Sequence, residues 1–248
     1  MSGVPTSNND EVRAVDVIDN PVDQQYEASP ASPERRSRGP GFEAAAAEAF
    51  VHDQHDVQLQ PLHIVTPRVL LRPWELDDVD AALDLFSDPS VAASMQPVLP
   101  PVEARADVTR LLASWMLESY RAPVPQGRWA IERQDTGQVI GSIFLTTATP
   151  GSSLLMLWWQ VRPDATGEGL ATEAAHAAAH HAFHVGGAHH LYALIEPANE
   201  RAAALATRLG MRLQDTTREF YDATFHRYRL DPEDLEQAQE RRSLSLTD

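Results

Sequence analysis

Between Leu62 and Leu230 the chain alternates short apolar runs with longer segments in which apolar residues recur every three or four positions. The short runs predict β-strands at Arg68–Trp74, Trp129–Arg133, Val139–Thr147, Leu154–Val161, Leu191–Glu196, Met211–Asp215 and Thr224–Leu230. The periodic segments predict α-helices at Asp77–Phe86, Glu103–Tyr120, Gly167–Val185 and Asn199–Leu209. Because strands and helices alternate through the second half, the pattern predicts a mixed α/β domain.

The two ends of the chain lack this periodicity. Residues 1–60 are polar, are interrupted by prolines and hold few large apolar residues, so they are predicted to be a largely disordered acidic extension. Within them, Phe42–Phe50 favours a short helix by alanine and glutamate propensity, which is marginal without a surface to dock on. Residues 231–248 are predicted to be an acidic tail, which leaves 61–230 as one folded domain.

Negative charge is concentrated in the same two ends. The 248 residues carry a formal net charge of −16, and residues 1–60 hold 11 acidic residues against 4 arginines. An acidic surface disfavours non-specific binding to nucleic acid and to anionic membranes. No apolar run reaches the ~20 residues of a membrane span, and residues 1–15 lack the basic and apolar regions of a signal peptide. We therefore expect a cytoplasmic protein with neither nucleic acid nor membrane as a partner.

Two residue types are missing from the chain. It has no cysteine, which excludes disulfides, thiolate metal sites and a cysteine nucleophile. All 20 basic residues are arginine, which excludes Schiff-base chemistry and the lysine of a Walker phosphate loop. His176, His180 and His184 share one face of a predicted helix, but they lack an HExxH motif and a carboxylate partner. We therefore predict a solvated polar face there and no bound metal.

The segment Val161–Ala174, VRPDATGEGLATEA, carries the main chemical signal. It runs from a strand through a loop with Gly167 and Gly169 into a helix, whose first turn has unpartnered backbone N–H groups and a partial positive charge. Glycines let an anion approach that backbone closely, so the segment predicts a phosphate site, with a ligand-free strand-to-helix turn as the alternative. Thr172 in the place of a third glycine excludes a dinucleotide fingerprint.

Four motifs in this order resemble the GCN5-related N-acetyltransferases (GNAT), in their RimJ/RimL-like branch. They are TPRVLLRPWELDD at Thr66–Asp78, Ile140-Gly141-Ser142, GEGLATEA at Gly167–Ala174 and LYALIEPANERAAALATRLGM at Leu191–Met211. The resemblance covers residues 62–230. It implies a single α+β domain with a mixed, mostly antiparallel sheet of about six to seven strands flanked by helices, with the central fourth and fifth strands splayed apart.

The resemblance also implies a co-substrate, acetyl-CoA or another short acyl-CoA, bound in the splayed cleft without a metal. Its pantetheine arm is expected beside the end of the fourth strand and its pyrophosphate on the loop and helix start. These positions are Gln160, Val161, Arg162, Thr166, Gly167, Glu168, Gly169, Leu170 and Ala171. Asn199 matches a family asparagine that either contacts pantetheine or caps the next helix. Arg162 and Arg201 are candidates for local positive charge, with solvated arginines as the alternative.

Two catalytic positions common in the family are altered here. A glutamate on the fourth strand is replaced by Met156, and a tyrosine on the helix after the asparagine is replaced by Ala206. The RimJ/RimL-like branch often lacks that tyrosine, so the missing glutamate is the informative departure. Glu196, at the end of the fifth strand, is the first candidate for a substitute catalytic base, with a solvated or capping carboxylate as the alternative.

The missing base bears on the acceptor. At pH 7 about a tenth of an α-amine is neutral, against less than about a thousandth of a lysine side chain. The site is therefore suited to an N-terminal α-amine or a small-molecule amine that attacks the thioester directly in a ternary complex. Trp129, Tyr221 and His226 are candidates for the acceptor-binding wall, with core positions as the alternative.

Three functional hypotheses follow from the resemblance and from the departures. The first is an acyl-CoA-dependent N-acyltransferase that acts as a monomer or homodimer. The second is an inactive acyl-CoA-binding sensor or scaffold of the same fold, which the missing glutamate keeps open. The third is an interaction protein whose acidic N-terminal extension recruits a partner.

Overall fold

The computed structural model describes residues 62–95, 99, 101–149 and 152–244. Within these residues the chain forms eight strands and six α-helices. The strands are β1 (Ile64–Val65), β2 (Val69–Pro73), β3 (Gly127–Arg133), β4 (Val139–Thr147), β5 (Leu155–Val161), β6 (Leu191–Ile195), β7 (Arg212–Thr217) and β8 (Phe225–Leu230). The helices are α1 (Val79–Phe86), α2 (Pro89–Met95), α3 (Arg105–Ser119), α4 (Leu170–His184), α5 (Glu200–Leu209) and α6 (Pro232–Leu244). Every element predicted within 62–230 is present, and β1, α2 and α6 are additional.

All eight strands belong to one sheet in the order β1-β2-β3-β4-β5-β6-β8-β7. Neighbouring strands are antiparallel except β5 and β6, which run parallel. β4 and β5 stay paired from Gly141–Val161 to Thr147–Leu155, whereas β5 and β6 are in register at Met156–Tyr192. The sheet therefore opens between the carboxyl-terminal halves of β5 and β6. The mixed, mostly antiparallel fold is confirmed, with eight strands instead of six to seven because the short β1 pairs with β2.

Helices cover both faces of the sheet. α4, α5 and α6 pack on one face, where the alanines of α4 let that helix lie close to strand residues such as Leu157. α1, α2 and α3 pack on the other face, where the rings of Trp115 and Phe144 meet edge to face with centroids 5.1 Å apart. Adjacent strand residues point to opposite faces, so Trp158 joins the α1/α3 side and Trp159 packs on the α4 side.

The segment 231–248, predicted as a tail, is largely the helix α6. Leu235 is 1% exposed and lies in the same hydrophobic cluster as α4 and α5. Gly210 leaves room for this helix, because a Cβ at that position would lie 2.5 Å from the Asp234 carbonyl oxygen. The tail prediction is corrected for a simple reason: two buried positions, Leu235 and Ala238, suffice to dock a helix that is otherwise polar.

Residues 1–61, including the predicted helix at Phe42–Phe50, lie outside the described residues, so the predicted disorder there stays a prediction. The helix α2 was not predicted because it is short and buries only Val91 and Met95. In the part of the chain that the structure describes, no helix has the length and apolar character that crossing a membrane requires.

Candidate active site

Strand β5 leads into the glycine loop through a tight turn. The N–H of Arg162 donates to the Ile140 carbonyl (2.8 Å), and a 3₁₀ turn at Pro163–Ala165 follows. Gly167 and Gly169 have φ values of +89° and +78°, a left-handed conformation that glycine adopts without steric cost. Gly169 is the N-cap of α4, and no side chain of the described residues caps this helix end. The first backbone N–H groups of α4 are therefore available to an anionic ligand.

Five residues tie this loop to the sheet, and we call them the loop clamp: Thr66, Arg68, Arg133, Glu168 and Glu173. The Thr66 hydroxyl donates to Glu173 Oε1 (2.7 Å). Arg68 donates to the same carboxylate twice, from its backbone N–H to Oε1 (2.9 Å) and from Nε to Oε2 (2.7 Å). Arg68 Nη1 also donates to the Glu168 carbonyl (2.9 Å), while Arg133 Nη1 donates to both Glu168 carboxylate oxygens (3.0 and 2.9 Å). The clamp therefore fixes the residue between the two glycines.

The acidic residues of this loop and helix start are each paired with an arginine. Burial by itself raises the pKa of Glu173, but hydrogen bonds from Thr66 and Arg68 outweigh it, so the pKa lies below its ordinary value of 4.5. The hydrogen bond from Arg162 likewise lowers the pKa of Asp164. An incoming anion therefore meets ion pairs instead of bare carboxylates.

A cavity of about 670 Å³ opens in front of the loop, and we call it the loop cavity. The predicted cofactor-binding residues that line it are Gln160, Val161, Thr166, Gly167, Gly169, Leu170, Ala171 and Asn199. Arg162 and Glu168 do not line this cavity; Arg162 forms an ion pair with Asp164, and Glu168 forms one with Arg133. Asn199 lines the cavity and also caps α5, since its Oδ1 accepts a hydrogen bond from the Ala202 N–H (3.0 Å).

Part of the loop cavity was not predicted from the sequence. Arg208 lines the cavity together with Arg201, two helical turns earlier on α5. That spacing was visible in the sequence and could have identified the second arginine. Ser90, Val91 and Ser94 of α2 also line the cavity, and only the tertiary structure brings this helix to the site.

A narrow cavity of about 40 Å³ lies where β5 and β6 diverge, and we call it the strand gap. Its walls include Leu157–Gln160 on one side and Ala193–Glu196 on the other, so the structure places Glu196 beside the splayed strands. Gln160 is 6% exposed, and its side-chain oxygen has no hydrogen-bond partner among the described residues. Trp159 and Gln160 line both the strand gap and the loop cavity, so the two spaces adjoin.

A third cavity of about 550 Å³ lies on the α1/α3 face, and we call it the Tyr221 cavity. The Tyr221 hydroxyl donates to the Ala148 carbonyl (2.7 Å), and burial raises the pKa of Tyr221, so the phenol stays protonated. Arg128, which also lines this cavity, forms an ion pair with Glu118. Trp158 lines both the Tyr221 cavity and the strand gap, so these two spaces also adjoin.

The structure does not bring the other two predicted acceptor-wall residues to these cavities. Trp129 is buried on the α4 face, where its Nε1 donates to the Leu62 carbonyl (3.0 Å). His226 pairs with Ile195 across the β6–β8 ladder and lines none of the three cavities that the described residues form. Of the three candidates, Tyr221 alone lines one of them.

The described residues offer no other obvious acid–base or metal centre. Met156 and Ala206, at the two altered family positions, are buried apolar side chains. No group of three or more potential metal ligands occurs in the described ranges. Burial, reinforced by the charge of Arg242 and by His180, lowers the pKa of His176 to about 4, so this side chain stays neutral at pH 7.

Comparison with known proteins identifies this arrangement. The family model described as the acetyltransferase (GNAT) domain matches residues 68–212, which include all of β5, α4 and α5 and every residue of the loop clamp except Thr66. The chain belongs to the GNAT acetyltransferases. The family assignment from the four sequence motifs is thus confirmed, and so is the prediction that the protein is an N-acetyltransferase.

Solved structures with the GNAT fold include members of the RimJ/RimL branch. Mycobacterium smegmatis RimJ, in complex with CoA-disulfide, is 19% identical with a TM-score of 0.63, covering 75% of this chain and 96% of that one. RimL, the ribosomal L7/L12 α-N-protein acetyltransferase, is 15% identical with a TM-score of 0.58, covering 68% and 94%. A GNAT acetyltransferase from Bacillus anthracis is 20% identical with a TM-score of 0.59, covering 69% and 99%. At these identities the likeness establishes the fold.

Proposed function

We propose that this GNAT protein transfers an acetyl group from acetyl-CoA to a primary amine, either the α-amine of a polypeptide or a small-molecule amine. The observation that carries the proposal is the loop cavity, whose wall contains an uncapped helix N-terminus, two left-handed glycines and two arginines. When bound, acetyl-CoA supplies the acetyl group already activated as a thioester. The RimJ structure that contains CoA-disulfide supports the same ligand class here.

The residues of the loop cavity fit the chemistry of CoA. The backbone N–H groups of Leu170 and Ala171 lie in the first turn of α4 and suit a pyrophosphate, aided by the helix dipole. Arg201 and Arg208 add positive charge to the same wall. The cavity continues along the end of β5 to Gln160, where an extended pantetheine arm would run beside the strand backbone. Both the charged pyrophosphate and the uncharged pantetheine arm of the ligand thus have a place along this wall.

The acceptor would reach the thioester from the opposite face of the sheet. Trp158 lines the Tyr221 cavity and the strand gap, and its neighbour Trp159 lines the strand gap and the loop cavity. Because these two side chains point to opposite faces, the strand gap has walls on both faces of the sheet. An amine that enters through the Tyr221 cavity would therefore meet the acetyl group at the gap.

Proton removal has one ionisable candidate in the strand gap, Glu196. Its carboxylate would take the proton from the attacking amine directly or through water. The strand β5 itself, Leu155–Val161, carries no carboxylate. We therefore favour an acceptor that is partly neutral at pH 7, since general-base assistance is worth about 10²–10⁴ in rate.

The same missing carboxylate favours one second candidate, an acyl-CoA-binding sensor or scaffold that does not turn over. Calorimetry with acetyl-CoA and thiol release across a panel of X-Ala-Ala-Ala peptides and small amines separate the two functions. Binding with turnover supports the transferase, and binding without turnover on any acceptor supports the sensor. No binding of acetyl-CoA would overturn both.

One variant tests the loop itself. Gly167→Val should abolish acetyl-CoA binding, because a branched residue at φ +89° is strained and brings a side chain to the cavity wall. Gly137→Val is the matched control, since Gly137 has a φ of +69° in an exposed turn outside the three cavities. Equal acetyl-CoA affinity in both variants would contradict the loop assignment.

The cytoplasmic location and the monomeric or homodimeric state stay predictions.

A further inference from the structure

Gln160 is a buried polar side chain without an evident structural role. It is 6% exposed, and its side-chain oxygen is fully enclosed with no hydrogen-bond donor among the described residues. Burying an amide oxygen without a partner is costly, and native proteins rarely retain such a group unless it has a task. An apolar residue would fill this strand position at lower cost, so the amide calls for a partner that the described residues do not supply.

The residue opposite Gln160 shows the contrast. Ser142 pairs with Gln160 across the β4–β5 ladder and is also completely buried. Its hydroxyl accepts a hydrogen bond from Trp74 Nε1 (3.3 Å) and donates to the Trp129 carbonyl (3.1 Å). Two buried polar side chains thus meet at the same rung of the sheet, and only the one that borders the strand gap has an unpaired oxygen.

The position of Gln160 indicates where its partner comes from. It lines the strand gap and the loop cavity, and it alternates along β5 with Trp159. Gln160 therefore shares the face of Trp158, which borders the Tyr221 cavity. A group that arrives through the Tyr221 cavity thus meets the amide on the same face of the sheet.

We propose that the Gln160 side-chain oxygen accepts a hydrogen bond from an N–H of the acceptor amine in the strand gap, and that this bond orients the nitrogen lone pair toward the thioester. The inference rests on the proposed transferase function and names a substrate-contacting residue for it. A neutral amine has N–H donors and a free lone pair, so one donor can bind the amide while the lone pair stays reactive. The neutral amide oxygen of Gln160 also does not stabilise the unreactive ammonium form of the substrate amine, whereas a carboxylate at this position would stabilise it.

Two variants of Gln160 test this role with opposite chemistry. Gln160→Leu removes the unpaired oxygen, so its melting temperature should equal or exceed that of the wild type. Its kcat/KM for the amine should fall about tenfold or more, while its Kd for acetyl-CoA stays within about twofold of the wild-type value. Gln160→Glu places a carboxylate beside the amine, so the alkaline rise of kcat should move to higher pH. Ser142→Ala is the control: it loses stability but keeps kcat/KM.

The acceptor in these assays is the peptide or small amine of the panel with the highest thiol release, and its binding to the CoA-saturated protein is measured by calorimetry as well. The inference is overturned if Gln160→Leu keeps the wild-type kcat/KM and acceptor affinity. It is also overturned if Gln160→Leu weakens acetyl-CoA binding as much as turnover, which would assign the amide to pantetheine. Peptide binding that depends on Gln160 without any turnover would contradict the transferase function and leave Gln160 as a binding residue. Absence of binding by every peptide and every small amine of the panel overturns both.

Discussion

Replacing Glu173 by glutamine probes the loop clamp while changing the side-chain volume very little. The carboxylate of Glu173 accepts hydrogen bonds from the Thr66 hydroxyl and from the backbone N–H and Nε of Arg68, and it also lies 2.6 Å from Arg68 Nη2. Glutamine keeps one carbonyl oxygen but replaces the second acceptor by an amide NH₂, which faces the Arg68 donors. The change therefore removes the ion pair and leaves donors opposed to donors.

The size of the effect follows from the exposure of the two partners. Hydrogen bonds to a charged group contribute about 1.5–3 kcal/mol when shielded. The Arg68 side chain is 53% exposed, so solvent screening reduces the loss of unfolding free energy to about 1–2 kcal/mol. For a domain of this size we expect a fall in Tm of about 2–8 °C. If the variant must spend about 1 kcal/mol of the acetyl-CoA binding free energy on ordering the loop, the KM for acetyl-CoA rises about fivefold.

The assay separates positioning from chemistry. Thiol release at saturating amine should show a higher KM for acetyl-CoA with kcat within about twofold, because the clamp holds the loop and does not touch the reacting atoms. The control is Glu233→Gln, which alters an exposed glutamate in the first turn of α6 that has no side-chain hydrogen bond or ion pair among the described residues. This control should change Tm by no more than about 1–2 °C.

The pH dependence provides a second check on the same residue. Because the pKa of folded Glu173 lies below its ordinary value of 4.5, its contribution to stability is complete above that value and is lost as pH falls through the folded-state pKa. The stability difference between wild type and Glu173→Gln should therefore be constant from pH 6 to 8 and shrink below pH 4.5. A variant with wild-type Tm and wild-type KM for acetyl-CoA at pH 7 would refute the clamp.

Two further predictions test other parts of the molecule. The pKa of His176 falls from 6.5 to about 4 on folding, so the unfolded state takes up its proton first and stability drops as pH falls from 6.5 toward 4. Urea unfolding should show that, between pH 6.5 and pH 4, the free energy of unfolding of His176→Gln falls by about 1–2 kcal/mol less than that of the wild type. Parallel plots of unfolding free energy against pH for the two proteins would contradict this. Leu235→Ala should lower the unfolding free energy by about 2–5 kcal/mol, because Leu235 is buried. Leu244→Ala is the control: its side chain is 69% exposed, so the unfolding free energy should change by less than about 0.5 kcal/mol. Equal effects of the two substitutions would mean that α6 does not dock.

The order of elements and the glycine loop could be read from the sequence because both depend on local rules. The apolar run at Leu154–Val161 is long and nearly continuous, which is typical of a central strand, and it became β5. Gly167 and Gly169 stand where the chain changes from strand to helix, and both adopt positive φ. The motif order was sufficient for the family, since these local features occur in the sequence itself.

The composition of the cavities could not be read in this way. Trp129 and Tyr221 look equally suited to an acceptor wall, yet one packs under α4 and the other lines a cavity, because the face that a strand residue takes and the path of a loop depend on the whole sheet. The contacts within the loop clamp could not be read from the sequence either; they join Arg68 to Glu168 and to Glu173. More than 100 positions separate Arg68 from Glu173, and only the packing of β2 against α4 brings their charges together.

By itself, then, the sequence determined the alternation of strands and helices, the position of the anion-binding loop and the absence of lysine, cysteine and a carboxylate on β5. The tertiary structure decided which side chains meet: the arginine–glutamate clamp on the loop, the docking of α6 and the unpaired oxygen of Gln160 in the strand gap. The physical reason is that secondary structure follows short-range periodicity, whereas burial and hydrogen-bond partnership are set by contacts between distant parts of the chain.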